Sequence, residues 1–376
     1  MASILVSMPM PMSLLSHRLR LRLRSFSTIL VLAALAVSSC SSDTQRFLEG
    51  TAAEIYGGEC VQKKGDTVTI YSGRTENLIE PVLDAFACET GIPVMVRWGA
   101  STDLALLLNE EGSKSPADVF LSRSPGPVGY LESKELLRPL SSDVLELVEE
   151  QNRSDSGTWI GFSGRKRVLV HNIDDVSSED LPNSVLDLTD KRYEGRVAIP
   201  ATNGSFVDWF TVFRDVYGNE TAQKWLEQMV ENDARYYYNN RAIVEATGRG
   251  EIDMGLVNHY YNYQEIAASG DEHRAKNHDL GDQDIGSLLI ITAATVLSST
   301  DQANESESLV SYLLSTPVQK YFTNRTFEYP LAFGVAPAGS LPPLTALEIG
   351  TVDFDKLGGG FEETTRMIEA TGILNQ

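Results

Sequence analysis

Three cysteines and five histidines are few for a chain of 376 residues, and basic side chains are scarcer than acidic ones. Each shortage closes off a class of function. The cysteines show no CxxC or Cys/His spacing and the histidines are scattered, so neither a zinc site nor a thioredoxin-like pair is indicated. Lys and Arg number 31 against 52 Asp and Glu, a formal net charge of -21. No basic stripe exists that could neutralise phosphates, which excludes nucleic acid as a partner. GxxxxGK[ST], HExxH and GxSxG are all missing, and no nucleophile–base pairing stands out, so an enzyme is the weaker class of reading. There is no internal repeat, no low-complexity tract, and no apolar run long enough to span a bilayer as a mature helix.

What is present begins with a leader. Arg18, Arg20, Arg22 and Arg24 precede the apolar run Ile29 to Val37, which ends in Ser38-Ser39-Cys40. Basic region, short apolar core and small residues make a secretory signal over 1–39. Val37-Ser38-Ser39-Cys40 resembles the bacterial lipobox, in which the cysteine is lipidated and becomes the mature N-terminus. Cutting there removes four arginines and no acids, taking the net charge from -21 to -25. Residues 40–65 read as a polar, lipidated tether. Cys60 and Cys88 remain in an oxidising compartment. A disulfide between them is the economical reading, with two separate buried thiols as the alternative.

The body opens at Val68-Thr69-Ile70-Tyr71, a strand-like run. A helix follows with Leu78, Ile79, Val82, Leu83 and Phe86 on one face. Val94 to Trp98 and Ala117 to Leu121 read as strands around a helix at Leu104 to Leu108. That alternation implies an α/β fold with a parallel sheet. Further strands are expected at Arg167–His171 and Gly195–Ile199, and Gly286–Leu297 is long enough to run between two lobes. Ala201-Thr202-Asn203-Gly204-Ser205 precedes a helix from Phe206 to Tyr217. A small-residue loop opening a helix offers backbone N–H groups and the positive dipole end to an anion, although a plain Asn or Ser cap reads the same way.

Val257-Asn258-His259-Tyr260-Tyr261 then sets two adjacent phenols where a strand gives way to a helix, at the kind of strand end where ligands bind in α/β sheets. Phenolate oxygen is hard and suits a small trivalent cation. Neighbours on a regular strand point to opposite faces, so both can meet one ion only where the backbone turns. A free tyrosine titrates near 10, so phenolate at neutral pH needs a strong local cation. The alternative is two rings packing with their hydroxyls toward water.

Seven segments, taken together, resemble the iron(III)-binding substrate-binding proteins of bacterial ABC importers. They are Ile70-Tyr71-Ser72-Gly73-Arg74, Ser115-Pro116-Ala117-Asp118-Val119-Phe120, Phe162-Ser163-Gly164-Arg165, Ser184-Val185-Leu186-Asp187-Leu188-Thr189, Thr202-Asn203-Gly204-Ser205-Phe206, the tyrosine stretch and Glu328-Tyr329-Pro330-Leu331. They run in family order from about residue 66 to the C-terminus. The resemblance implies an α/β, two-lobe periplasmic-binding-protein-like fold of type II with a hinge between the lobes. The first lobe would be 66–167 plus 291–341 and the second 168–290 plus 342–376. Together with the leader and the lipobox, it implies a monomeric, extracytoplasmic lipoprotein, held to the membrane by its lipid alone, that captures Fe(III) and delivers it to an ABC permease. Tyr260 and Tyr261 would be the metal phenolates. Asn203, Gly204 and Ser205 would seat a synergistic anion, carbonate or phosphate, assisted by Asn240 and Asn258.

The first lobe departs from the family pattern. Thr75 stands where some members offer a histidine, and Arg123 where some offer an acidic ligand; a guanidinium cannot ligate a cation. Members with additional tyrosines would carry one at Glu76 or Phe206. Either anion and water complete the metal shell, or Arg123 closes over an iron-bound anion, or the ligand has drifted. The second of these puts Arg123, with Thr75, among the anion-binding residues. The same fold binding an anionic or phosphonate-type small molecule is the alternative function.

Overall fold

Strands and helices alternate from the start of the body. The structure, a computed structural model, describes residues 47–281, 283–344 and 360–375. The leader, Cys40 and the start of the expected tether lie outside the described residues. Residues 47–65, expected to belong to that tether, are folded onto the body. Helix α1 (Gly50–Ile55) buries Ala52 and Ile55. Cys60 and Cys88 form a disulfide with Cα atoms 4.3 Å apart. Apolar contact and a covalent staple override the polar composition there.

Strand β1 (Val68–Ser72), helix α2 (Glu76–Thr90), strand β2 (Val94–Trp98), helix α3 (Ser101–Glu111) and strand β3 (Val119–Ser122) follow in order. β1 pairs in parallel with both β2 and β3. Helices α4 (Pro125–Ser133) and α5 (Ser142–Leu145) lead into strand β4, Trp159–Asn172, every residue of which is buried. β4 begins eight residues before the expected Arg167–His171 strand and serves both lobes. Its first half pairs with strand β9 (Leu289–Val296). Its second half, from Arg167, pairs with strand β7 (Met254–Asn258) and strand β8 (Ala275–His278).

The second lobe contains strand β5 (Val197–Ile199), helix α6 (Gly204–Tyr217), helix α7 (Asn219–Glu231) and the short strand β6 (Arg235–Tyr236). Helix α8 (Asn240–Gly248), strand β7 (Met254–Asn258), helix α9 (His259–Ser269) and strand β8 (Ala275–His278) complete its sheet side. Strand β9 (Leu289–Val296) returns antiparallel between β3 and β4. Helices α10 (Ala303–Leu313) and α11 (Thr316–Tyr321), the short strand β10 (Tyr329–Pro330) beside β4, and helix α12 (Phe361–Ala370) finish the chain. The sheet path reads β2-β1-β3-β9-β4-β7-β5-β6.

Two main apolar cores flank the crossing strands. Val68, Phe86, Val119, Phe162, Ile291 and Val310 belong to one, and Leu169, Trp209, Phe213, Trp225, Leu256 and Ile290 to the other. Ile290 and Ile291 are successive residues of β9 that face different cores, as a strand's two-residue period allows. These residues make α/β lobes around two shared strands, the arrangement that lets a cleft open and close about a hinge.

Candidate functional site

β7 ends at Asn258 and α9 begins at His259, so Tyr260 and Tyr261 occupy the first turn of a helix. The turning backbone brings the two rings onto one side, with centroids 4.2 Å apart and planes inclined by 31°. Tyr260 is only 3% exposed, while Tyr261 is half-buried. Burial raises the Tyr260 phenol well above its ordinary value. The Tyr261 hydroxyl beside it adds to this, and the Arg165 guanidinium opposes it. His259 takes no part. Its Nδ1 accepts the backbone N–H of Lys166 at 3.0 Å, its ring stacks on Tyr329 at 5.0 Å, and burial pulls its pKa down to about 3, leaving a neutral imidazole.

α6 positions the expected anion loop. Asn203 caps it by accepting the Ser205 N–H at 3.1 Å, and Phe206, Trp209, Phe210 and Phe213 recur at helical spacing on its buried face. Trp209 donates to the Ile285 carbonyl at 2.8 Å, which fixes the helix against the approach to β9. Asn203 Oδ1 also accepts the Ser205 hydroxyl at 2.7 Å and the Asn240 amide at 3.1 Å. Asn203 thus caps the helix, and the Ser205 hydroxyl must rotate before it can serve a ligand. Asn240 Oδ1 accepts the Asn258 N–H at 3.1 Å. One hydrogen-bonded chain thus links Asn203, Ser205, Asn240 and Asn258 to the residue that precedes α9.

The principal groups that sequence reasoning passed over are Arg165 and Arg167. Both are almost completely buried on β4. Arg167 Nη1 donates to Asn258 Oδ1 at 3.2 Å and Asn240 Oδ1 at 3.4 Å, and its guanidinium lies over the Phe206 and Trp209 rings at 5.5 and 5.3 Å. Its Nε and Nη2 are buried without a hydrogen-bond partner, as is Nε of Arg165. Burial lowers Arg167 to about 9, which leaves it cationic at neutral pH. The signal was present: Arg165-Lys166-Arg167 interrupts an otherwise apolar strand, and its period of two sends both arginines to one face and Lys166 to the other. Lys166 duly turns away to pair with Asp279 at 2.5 Å.

Arg123 follows β3 and is held from several sides. Its N–H donates to Ser101 Oγ at 2.9 Å, its Nη2 donates to the Gly73 carbonyl at 2.9 Å, and its own carbonyl accepts from Arg165. Gly73 is required here, since a Cβ would stand 1.9 Å from Ser101 Oγ. The outstretched guanidinium reaches across the cleft, placing Nη1 3.4 Å from where a Cβ on Gly204 would be. Asp208, in α6, is the acid among these arginines. Burial raises its carboxyl, while Ser124, Arg165, Arg123 and Arg167 act to lower it. Glu328 is already committed to Arg74, in a buried pair at 2.9 Å. Thr75 caps α2 with its backbone and is exposed.

The cleft therefore combines two phenols, a helix N-terminus and a surplus of guanidinium. Phenols can lose protons to a hard cation, and the guanidiniums can hold an anion beside it. Among the described residues, no three His, Cys, Asp or Glu side chains converge as a metal would need, and no helix is long and apolar enough to cross a membrane.

Residues 114–354 match the family described as bacterial extracellular solute-binding protein. The Fe(3+)-binding periplasmic protein of Serratia marcescens is 30% identical over 309 residues, covering 82% of this chain and 90% of that protein. The major ferric iron-binding protein of Neisseria gonorrhoeae is also 30% identical, covering 81% of this chain and 93% of its own. Among solved structures, iron-bound HitA from Pseudomonas aeruginosa superposes with a TM-score of 0.76 at 32% identity, over 82% of this chain and 100% of that one. Similarity of this extent, on a fold of two α/β lobes, makes this chain a member of the ferric-ion-binding family of bacterial extracellular solute-binding proteins.

Proposed function

We propose that this protein captures Fe(III) outside the cytoplasmic membrane on the phenolates of Tyr260 and Tyr261, with a synergistic anion completing the shell, and delivers it to an ABC permease. The observation that carries the reading is the convergence of the two rings, 4.2 Å apart, in the first turn of α9. Relatives named for ferric iron at 30% identity support the choice of cargo. The protein is a transport component, not an enzyme, and works as a monomer. Its two lobes, 66–167 plus 291–341 and 168–290 plus 342–376, close on the cargo. Cys40 carries the lipid, and the adjoining segment up to the folded α1 serves as the tether.

Arg123 takes the anion-clamping role rather than a vestigial one, because its reach to Gly204 would bring a cation against the positive end of α6 unless an anion lay between. Two phenolates and a polydentate anion neutralise a trivalent ion without a cage of carboxylates. Adding ferric salt to the purified protein should produce a visible phenolate-to-iron charge-transfer band, and Tyr260→Phe with Tyr261→Phe together should abolish it. A double variant that binds Fe(III) as tightly as wild type defeats the proposal. It would promote the second reading, a small anionic ligand seated on the free Nε and Nη2 of Arg167.

A further inference from the structure

We infer that the protein carries a second ligand site, separate from the tyrosine cleft, which takes a small amphipathic organic acid with one carboxylate on an apolar body. The site is a cavity of about 570 Å³, within the range usual for small-molecule pockets. Its walls come from β4, β8, the turn after β4, α9 and Tyr329 of β10. None of Arg123, Arg165, Arg167, Asn203, Tyr260 and Tyr261 lines it. Local geometry explains the separation. Lys166 lies between Arg165 and Arg167 on β4 and so faces the other way, into this cavity. His259 and Tyr263, four residues apart, present one face of α9 to it.

The charge in the lining selects an anion. Lys166 is neutralised by Asp279 at 2.5 Å. Lys276 has no carboxylate in ion-pairing reach among the described residues, so the cavity keeps one positive charge in a protein of net charge -21. Lys276 stands opposite His171 across the β4–β8 pair, and the His171 and His278 rings meet edge to face at 6.3 Å. The Pro182 carbonyl, 2.9 Å from His278 Nε2, can only accept, so that nitrogen carries a proton. Nδ1 of the buried His171 has no hydrogen-bond partner. Burial, His278 and Lys276 pull this imidazole down to about 4, so it is neutral at ordinary pH. A carboxylate placed here pairs with the Lys276 ammonium and gives the Nδ1–H tautomer of His171 the acceptor it lacks.

The rest of the wall calls for an apolar body. Val168, Ile173, Val176, Leu181, Tyr263 and Tyr329 all contribute to it, and Ile173 is left 42% exposed. A bare inorganic anion would leave this surface wet, whereas an alkyl or aryl body removes it from water. One unpaired cation also matches one negative charge, and a dianion would bring a second charge with nothing to balance it.

The test titrates the metal-free protein with 4-phenylbutyrate and follows the imidazole signals of His171 and His278 by NMR. Both should move saturably, with a dissociation constant of about 2 mM, the affinity expected of twelve non-hydrogen atoms at the efficiency of a drug-sized ligand. The matched cation, 4-phenylbutylammonium, should bind about fivefold more weakly, and acetate should leave the signals in place. Lys276 is exposed, so Lys276→Glu keeps the fold and should weaken phenylbutyrate about fivefold or more. The Tyr260→Phe, Tyr261→Phe double variant should bind the probe as wild type does, because the site stands apart from the ferric reading. Still signals, equal binding of the ammonium, or shifts with acetate as large as with phenylbutyrate overturn the inference. So does undiminished binding in Lys276→Glu, or loss of binding in the double tyrosine variant, since either puts the probe elsewhere.

Discussion

Acid should release the iron, and the steepness of release should count the phenolates. A tyrosine titrates near 10 when free. Burial lifts the Tyr260 phenol further, with Tyr261 adding to this and Arg165 opposing, so the metal-free protein holds Tyr260 neutral at ordinary pH. Each phenol recruited by Fe(III) then surrenders one proton. The iron-bound state carries fewer protons than the free one, so affinity rises with pH and falls as pH is lowered. Two phenolates make the logarithm of the affinity change by two per pH unit, about 2.7 kcal/mol at 1.36 kcal/mol per proton, or roughly a hundredfold. Competition against a chelator of known protonation behaviour, over about one pH unit just above neutrality, reads the slope. Tyr261→Phe should lower the slope to one. A wild-type slope near zero, or the same slope in the Tyr261→Phe variant, would refute two-phenolate binding.

Other measurements reach different parts of the molecule. Converting Cys60 and Cys88 to serine opens a loop of sequence separation 28 and should cost roughly 3–4 kcal/mol in denaturant unfolding, with iron binding unchanged; a loss below about 1 kcal/mol would contradict the chain-entropy account. His171 is drawn down to about 4 by burial, His278 and Lys276. Its depressed value means the stability it confers is complete above the unfolded value of 6.5 and is lost as pH falls toward 4. The loss is at most about 1.4 kcal/mol per pH unit, and replacing His171 by phenylalanine should flatten that limb of the stability profile. Mass spectrometry of the mature N-terminus should find Cys40 lipidated on its thiol with a second chain on its amine, since more than one chain is what makes such an anchor stable. An unmodified terminus elsewhere removes the anchor.

Much of the fold could be read because its local signals agree with its tertiary structure. The first β-α-β-α-β run shows clean changes of period, and α6 announces itself through the Asn203 cap and the Phe206, Trp209, Phe210, Phe213 spacing. The first half of β4 was harder. Gly161, Ser163 and Gly164 weaken the strand pattern, and three consecutive cations follow, yet β9 and β10 pair with this half and bury it. Helix α1 was invisible for the opposite reason. At six residues it is too short to be stable alone, and contact with the first core and the nearby Cys60–Cys88 link account for its order. Pairing partners far along the chain decided both cases, and a local window does not contain them.

The site divides along the same line. Tyr260 and Tyr261 could be singled out because adjacency at a strand-to-helix junction is itself a geometric statement, and the turn of α9 brings their rings together. Arg123 could be noticed only as a departure, an arginine where an acid might stand. Its meaning depends on Arg165 and Arg167, which lie more than forty residues away and arrive through β4. Taken singly, each arginine is a cation that repels iron. Taken together, they change what must be bound. With Glu328 held by Arg74 and Asp208 outnumbered by arginines, neither of these two carboxylates is free to balance a ferric ion. On the proposed ferric reading, the balancing negative charge enters with the cargo, as the anion that the unpartnered Nε and Nη2 of Arg167 would help to hold.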